Sequence, residues 1–450
     1  MCTVGGWTRG DASDYNAWAH DVNDNRWSYD GMLPYFKRSE THHDPSADPA
    51  HHGFNGPVHT ASLTSSGRRF PLREPVRRIF EEALGLEFRS DLNDGETRGI
   101  SDLVENWKDG KRQIASAVYP LDGVSVLTNT VVKRVILSTA NVATGVELAS
   151  GETLALKEGG QVIVSAGAYR TPQVLMLSGI GDAKHLAEHG IKCKMNSPDV
   201  GRNLHDHVLL YRYWTLLHPE RGLALGHANF TGENYDKGGP LDFLARTGLP
   251  AKGLTAALQK DGVEDAHDLV GRTHLELGIP YAPLGAETVG LNVPFDGTTI
   301  ATFAMSCLPT SRGTITLHSP SPNDAPIIDP NYTSTHFDRQ VLREAFRILG
   351  KLALDTRDGK DVIAGEHTPA GFPVLGLDAS DEDVDERVRF GAGTTYHAAG
   401  SAAMGRVVDG GLKVVGVEGV RVVDASVVSV RMIHVEERLD WMVVVFVGLS

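Results

Sequence analysis

Cysteine is scarce in this chain. Cys2, Cys193 and Cys307 lie far apart in 450 residues and form no CxxC pair. That spacing suits neither a disulfide framework nor a thiolate metal site. Long apolar runs are also missing: the run at 441–449, WMVVVFVGL, falls far short of the ~20 residues a membrane helix needs. There is no surplus of positive charge. The formal net charge of −14 argues against nucleic acid or an anionic membrane as partner, and leaves a small neutral substrate open. Residues 1–10, MCTVGGWTRG, have neither a basic start nor an apolar stretch, so no secretory signal is expected there. Sequons at Asn229 and Asn331 leave the compartment undecided. Internal repeats and low-complexity segments are absent as well.

What is present describes a globular protein. A chain of 450 residues exceeds one ordinary core, so two closely packed domains are expected. The most informative stretch is 394–428, TTYHAAGSAAMGRVVDGGLKVVGVEGVRVVDASVV. It opens with His397 in a turn of small residues and ends with a Val-rich strand that runs into Asp424-Ala425-Ser426. Small side chains after a strand suit close approach of backbone to a ligand. His397 is the one side chain of the stretch with a proton affinity near neutrality, so it can take or deliver a proton. Taken alone, a lone histidine near a strand is more often a satisfied structural residue than a catalyst.

Elsewhere the periodicity predicts helices at 15–19, at 29–40 with Ser28 as N-cap, and at 75–84. Strands are predicted at 124–127, 131–137 and 142–148, followed by a buried parallel strand at 161–165 and a helix at 173–177 that stops at Ser178-Gly179. Beyond residue 208 come strands at 300–308 and 313–317 and around Ile327, and a helix at 337–354 that turns Val341, Leu342, Phe346, Leu349 and Leu352 inward. An acidic helix at 381–390 is expected to present its carboxylates to solvent. The pairs His42-His43 and His51-His52 fall in a loop rich in Pro and Asp without helical spacing, so no metal site is expected. His205 and His207, two apart, would share one face of a strand and could chelate. With no third ligand nearby, the structural reading is preferred.

The pattern H-x-x-G-[ST]-x-x-M-G, then VVD, then G-V-x-G-[VL]-R-V-V-D-A-S resembles the C-terminal signature of the glucose–methanol–choline (GMC) family of flavin oxidoreductases. The opening segment is similar to that family's W-x-R-G-x-x-x-D-Y-x-x-W-A lid, and 167–181 to its G-A-x-x-[ST]-P-Q-x-L-M-L-S-G-I-G motif. V-G-x-N-L-x-D-H at 200–207 is a further near-match, and the resemblance covers roughly 3–428.

The resemblance implies an α/β (α+β) protein: an incomplete FAD-binding Rossmann-like domain plus a substrate domain with an antiparallel sheet covered by helices. The implied division is a flavin lid at 1–40, substrate-domain parts at 41–113 and 208–393, and FAD-binding parts at 114–207 and 394–450. It implies FAD as cofactor and no metal. Gly5, Gly6 and Trp7 would wrap the flavin ring and pyrophosphate, Val132 would touch adenine through its backbone, and Ala166 and Gly167 would line the ADP. Asp424 and Ala425 would complete the cofactor site beside His397, the base that removes a hydroxyl proton from a small-molecule alcohol. The activity implied is FAD-dependent oxidation of a CH–OH group. Two alternatives stay open: lyase or cyclisation chemistry on the same fold, and a non-catalytic remnant that does not hold FAD.

Two departures bear on these expectations. No G-x-G-x-x-G loop follows a strand in the first hundred residues, so the phosphate site such a loop supplies is not expected here and the parallel sheet should lack a strand and expose apolar edges. His434 stands eight residues after Ser426, where the family pattern has a second His or Asn at nine. It is either a slipped partner of His397 or chance. Both ends therefore read as those of a truncated chain, and Thr3 stands where the family has Asn.

Overall fold

A computed structural model describes residues 5–263, 269–287 and 290–429. Its buried side chains separate into two large hydrophobic cores with different architectures.

The first core lies on a seven-stranded antiparallel sheet. Neighbouring strands run in the order Ile363–His367, Val208–Leu216, Thr299–Ser306, Leu275–Gly278, Phe243–Thr247 and Gly99–Asp102, with Ala392–Thr394 also paired to Val208–Leu216. The longest ladder runs from Val208 opposite Ser306 to Thr215 opposite Thr299. Val208–Leu216 carries Val, Tyr, Trp, Thr and Leu, residues that pack well on a pleated surface. Helix His336–Leu354 covers the sheet, and Thr335 caps it by accepting from the Asp338 amide. Its Phe337, Val341, Leu342, Phe346, Leu349 and Leu352 are buried, the i, i+3, i+4 stripe that the sequence predicts. Helix Arg73–Leu84 buries Val76, Ile79, Phe80 and Ala83 and ends at Gly85, whose φ of +65° suits a left-handed C-cap. Inside this core Glu366 is sandwiched between two guanidiniums. Arg212 reaches its two oxygens at 2.9 and 2.8 Å, and Arg387 reaches it at 2.8 Å.

The second core gathers the lid helices with segments from 135–200 and 399–428. Helix Tyr29–Ser39 begins at Ser28, whose hydroxyl accepts from the Gly31 amide, as expected. The earlier helix spans Ala12–Asp21, longer than predicted, because Asp11 caps it through the Ser13 amide. Strand Val162–Val164 pairs in parallel with Val420–Val422, and helix Gly167–Leu177 follows it. A separate antiparallel meander comprises Val132–Leu137, Ala143–Leu148 and Thr153–Ala155.

Four expectations need correction. Residues 124–127 form no strand, and Val124, Val126 and Leu127 are about 60% exposed: 58%, 59% and 60%. An alternating run becomes a strand only where a neighbour completes its ladder, and none is described there. The parallel strand is shorter than 161–165 and only Val164 is buried, while Ile163 is 38% exposed, because the pair has no third strand beside it among the described residues. The helix expected at 173–177 starts six residues earlier, at Gly167, with Pro172 inside it. The acidic helix Asp381–Gly391 does not simply face water. Asp381 pairs with Arg343 and Arg347, and Asp385 pairs with Arg343, both arginines on the covering helix. No described helix is long and apolar enough to cross a membrane.

Candidate active site

The parallel pair sends both strands toward one end, into Ser165-Ala166-Gly167 on one side and Val423-Asp424-Ala425 on the other. In open α/β sheets ligands bind outside these carboxyl ends. Asp424 ties the two ends together. One carboxylate oxygen accepts from the Gly167 amide at 2.9 Å and from the Thr171 hydroxyl, and the other accepts from the Ser426 amide at 2.9 Å. Ser165 Oγ donates to the Val423 carbonyl at 2.8 Å. Gly167 has φ +77° and nothing within 4 Å of where a Cβ would stand, so this turn leaves open space above its backbone.

The loop carrying His397 is laid directly on this edge. Gly400, Ala402 and Met404 donate their amides to the carbonyls of Ala425, Ser426 and Val427. Ser401 Oγ donates to the Ala168 carbonyl. That carbonyl stands four residues before Pro172, which has no N–H to offer it. The acceptor vacated by the proline inside helix Gly167–Leu177 is thus taken up by the histidine loop. Gly400 has φ +82°, and a Cβ there would lie 2.5 Å from both the Asn203 carbonyl oxygen and His205 Nδ1.

The third wall comes from 203–207, just ahead of strand Val208–Leu216. His205 and Ala399 exchange backbone hydrogen bonds at 3.1 and 2.9 Å. The His397 amide donates to Asp206 Oδ1 at 3.0 Å, and the hydroxyls of Thr394 and Tyr332 donate to Oδ2. Burial lifts the Asp206 carboxyl above its usual range, against the opposing pull of those two hydroxyls and of His397. His207 Nδ1 lies 3.1 Å from His397 Nδ1, whereas His205 Nδ1 lies 3.0 Å from the Asn203 carbonyl. The two histidines therefore engage different partners. Sequence reasoning treated V-G-x-N-L-x-D-H as structural and did not foresee that Asp206 and His207 would meet His397 across 190 residues.

His397, Ala166, Gly167, Asp424 and Ala425 thus converge. Gly5, Gly6 and Trp7 are tied by backbone bonds to residues 104–106: Trp7 donates to the Val104 carbonyl at 2.7 Å, Gly5 accepts from the Asn106 amide at 2.9 Å, and Gly6 bridges Glu105. Val132 opens the meander, 38% exposed. His434 lies outside the described residues. A cleft of 710 Å³ lies beside Asn203 and Arg312 and takes Ala17 and Asp21 from the first helix, but His397 is not among its lining residues.

Among the described residues one group has metal-like geometry: Glu40, His42 and His52, all buried. Sequence reading missed that the two His-His loops meet here, with His42 and His52 stacked 4.3 Å apart. Their atoms are already engaged. Glu40 accepts from Arg9 at 2.9 Å and from Thr60 at 3.0 Å, while His52 bridges Glu40 at 3.1 Å and Asp91 at 2.9 Å. Burial pulls His52 down, but its bonds to Asp91 and Glu40 outweigh that and raise it. A guanidinium thus sits on the shared carboxylate, and burial pulls the His42 pKa down to about 4 while that of His52 is raised.

Comparison with known proteins agrees with this architecture. GMC oxidoreductase family models match residues 3–209 and 309–432. The GMC-type oxidoreductase acuG of Aspergillus aculeatus is 39% identical over 429 residues, covering 95% of this chain and 78% of that protein. An oxygen-dependent choline dehydrogenase of Rhizobium etli is 30% identical over 446 residues, covering 94% of this chain and 74% of its own length. Among solved structures, formate oxidase from Aspergillus oryzae superposes with a TM-score of 0.83 over 98% of this chain and 81% of that one at 24% identity, a likeness of fold. With both of its family segments matched and a relative aligned along nearly its whole length, the chain belongs to the GMC oxidoreductase family.

Proposed function

We propose that this protein oxidises a small-molecule alcohol to a carbonyl compound with FAD as cofactor. The observation that carries this reading is the placement of His397, 7% exposed, in a loop whose Gly400, Ala402 and Met404 amides bond to the turn 425–427 at the carboxyl end of a parallel strand pair. Two features of that edge fit a dinucleotide. Among the described residues nothing fills the space above Gly167, and the buried Ser426 Oγ has no hydrogen-bond partner. Ala166, Gly167, Asp424 and Ala425 would hold the cofactor there, with Gly5, Gly6, Trp7 and Val132 as the further contacts that the family resemblance implies. FAD, when bound, supplies the two-electron acceptor for the hydride that leaves the carbinol carbon. His397 takes the hydroxyl proton, a general-base contribution of roughly 10²–10⁴ in rate. Asp206 fixes the backbone from which that ring projects.

Purified protein tests the reading directly. A flavin absorbance band that bleaches anaerobically on addition of an alcohol supports it. His397→Ala should remove the bleaching by ~10² or more while leaving flavin content unchanged. Turnover that survives this substitution would show that another group is the base. A second reading, a chain that does not retain FAD, is favoured by the exposed Val124, Val126, Leu127 and Ile163. Colourless protein after refolding with excess FAD would select it.

A further inference from the structure

We infer that His207 is a positioning residue for His397, setting which ring nitrogen of His397 carries the proton. The inference rests on the alcohol-oxidation reading above. The two Nδ1 atoms are 3.1 Å apart, the ring centroids 5.3 Å apart and the planes 83° to each other. Both side chains belong to buried residues, His207 1% and His397 7% exposed.

An imidazole nitrogen either bears a proton or offers a lone pair. Between two neutral rings, a contact of this length holds one proton, and two arrangements satisfy it. If His207 donates, His397 bears its own proton on Nε2 and presents an N–H there, which cannot accept a hydroxyl proton. If His397 donates, its Nε2 presents a lone pair. Only the second arrangement makes His397 a base. It also survives the reaction: the substrate O–H bond breaks, an N–H bond forms at His397 Nε2, and the Nδ1–H continues to donate to His207. That bond becomes charge-assisted and therefore stronger as the proton arrives. His207 then stands to His397 as a neutral counterpart of the carboxylate that orients the histidine in a Ser-His-Asp triad.

The neighbouring residue completes the grip. Asp206 accepts the His397 amide, so consecutive residues hold the backbone and the ring of the same histidine. Asp206 is itself fixed by Thr394 and Tyr332, and His207 leads directly into the central strand Val208–Leu216. The ring orientation is thereby anchored in the seven-stranded sheet, while the loop that carries His397 is anchored on the parallel pair.

Nitrogen-15 NMR of the full chain labelled at histidine tests this, because two-bond nitrogen–proton correlations distinguish the tautomers. The expected spectrum shows His397 protonated on Nδ1 and His207 on Nε2. His207→Leu should abolish the Nδ1–H preference of His397 and lower kcat roughly 10²-fold. His207→Asn, whose side-chain carbonyl falls near the original Nδ1 position, should retain that preference and recover most of kcat. A wild-type His397 protonated on Nε2 would overturn the inference, as would a His207→Leu variant with tautomer and kcat unchanged. Should His207→Leu fail to fold, the wild-type spectrum decides alone. The expected tautomer in a protein that turns over no alcohol would sink the oxidation reading and leave the His207 assignment standing.

Discussion

The two cores of this molecule close to different degrees. On the sheet side, strands from Gly99–Asp102 to Ile363–His367 form one continuous antiparallel surface, sealed by helices and pinned by buried ion pairs. On the other side, the parallel pair Val162–Val164 and Val420–Val422 has no third strand beside it among the described residues, and Val124, Val126, Leu127 and Ile163 are exposed. Both rest on pairings distant in sequence: Gly99–Asp102 pairs with Phe243–Thr247 in the antiparallel sheet, and Val162–Val164 with Val420–Val422 in the parallel pair. His397 draws on both. Its ring is oriented from the closed side and its loop is carried by the open one.

The contrast can be broken most severely at Glu366. Glu366→Gln would leave two buried guanidiniums without their shared carboxylate, and a loss of about 3–5 kcal/mol in urea unfolding is expected. Next is acid. His274 is buried, accepts from the Leu249 amide through Nδ1 at 3.0 Å and bonds the Leu269 carbonyl through Nε2 at 2.8 Å, an arrangement that needs the neutral ring. Burial pushes its pKa down from 6.5 to about 4. Between those values the unfolded chain binds the proton more readily than the folded one. Its contribution is therefore fully present above pH 6.5 and is lost as pH falls toward 4, on the order of 3 kcal/mol. Urea midpoints at pH 7 and pH 5 should differ less in His274→Gln than in the wild type.

On the second core, Gly400→Ala introduces a Cβ at φ +82° against the Asn203 carbonyl and His205. A cost of about 1–3 kcal/mol is expected, together with a fall in alcohol turnover larger than the loss of flavin. The smallest effect should come from the open edge. Ile163→Thr, at a half-exposed position, should change stability by no more than about 0.5 kcal/mol while lowering self-association measured by light scattering. A large destabilisation there would show that the edge is covered in solution and the contrast overstated.

Much of this was legible in the sequence, for local reasons. The stripe Val341, Leu342, Phe346, Leu349, Leu352 and the cap Ser28 declare their helices without reference to the rest of the fold. The C-terminal signature announced His397 and the strand into Asp424. What stayed hidden depends on partners. Residues 124–127 alternate like a strand but have no neighbour to pair with. Asp381 and Asp385 look solvated until Arg343 and Arg347 arrive from another helix. His42 and His52 meet only because strand Glu40–His42 and the loop after it fold back on each other. For the same reason the contact between His207 and His397 is invisible along the chain, where nothing marks one histidine out of nineteen as its neighbour.

Pro172 shows how such a long-range arrangement is made tolerant of change. A helix left one backbone bond short offers a fixed acceptor at Ala168, and the hydroxyl of Ser401 docks there. The loop's location is thus inherited from a rigid element rather than encoded in its own run of alanines and glycines. The position of the imidazole therefore depends on keeping the hydroxyl and the proline as a matched pair, with Gly400 held to glycine by its φ of +82°.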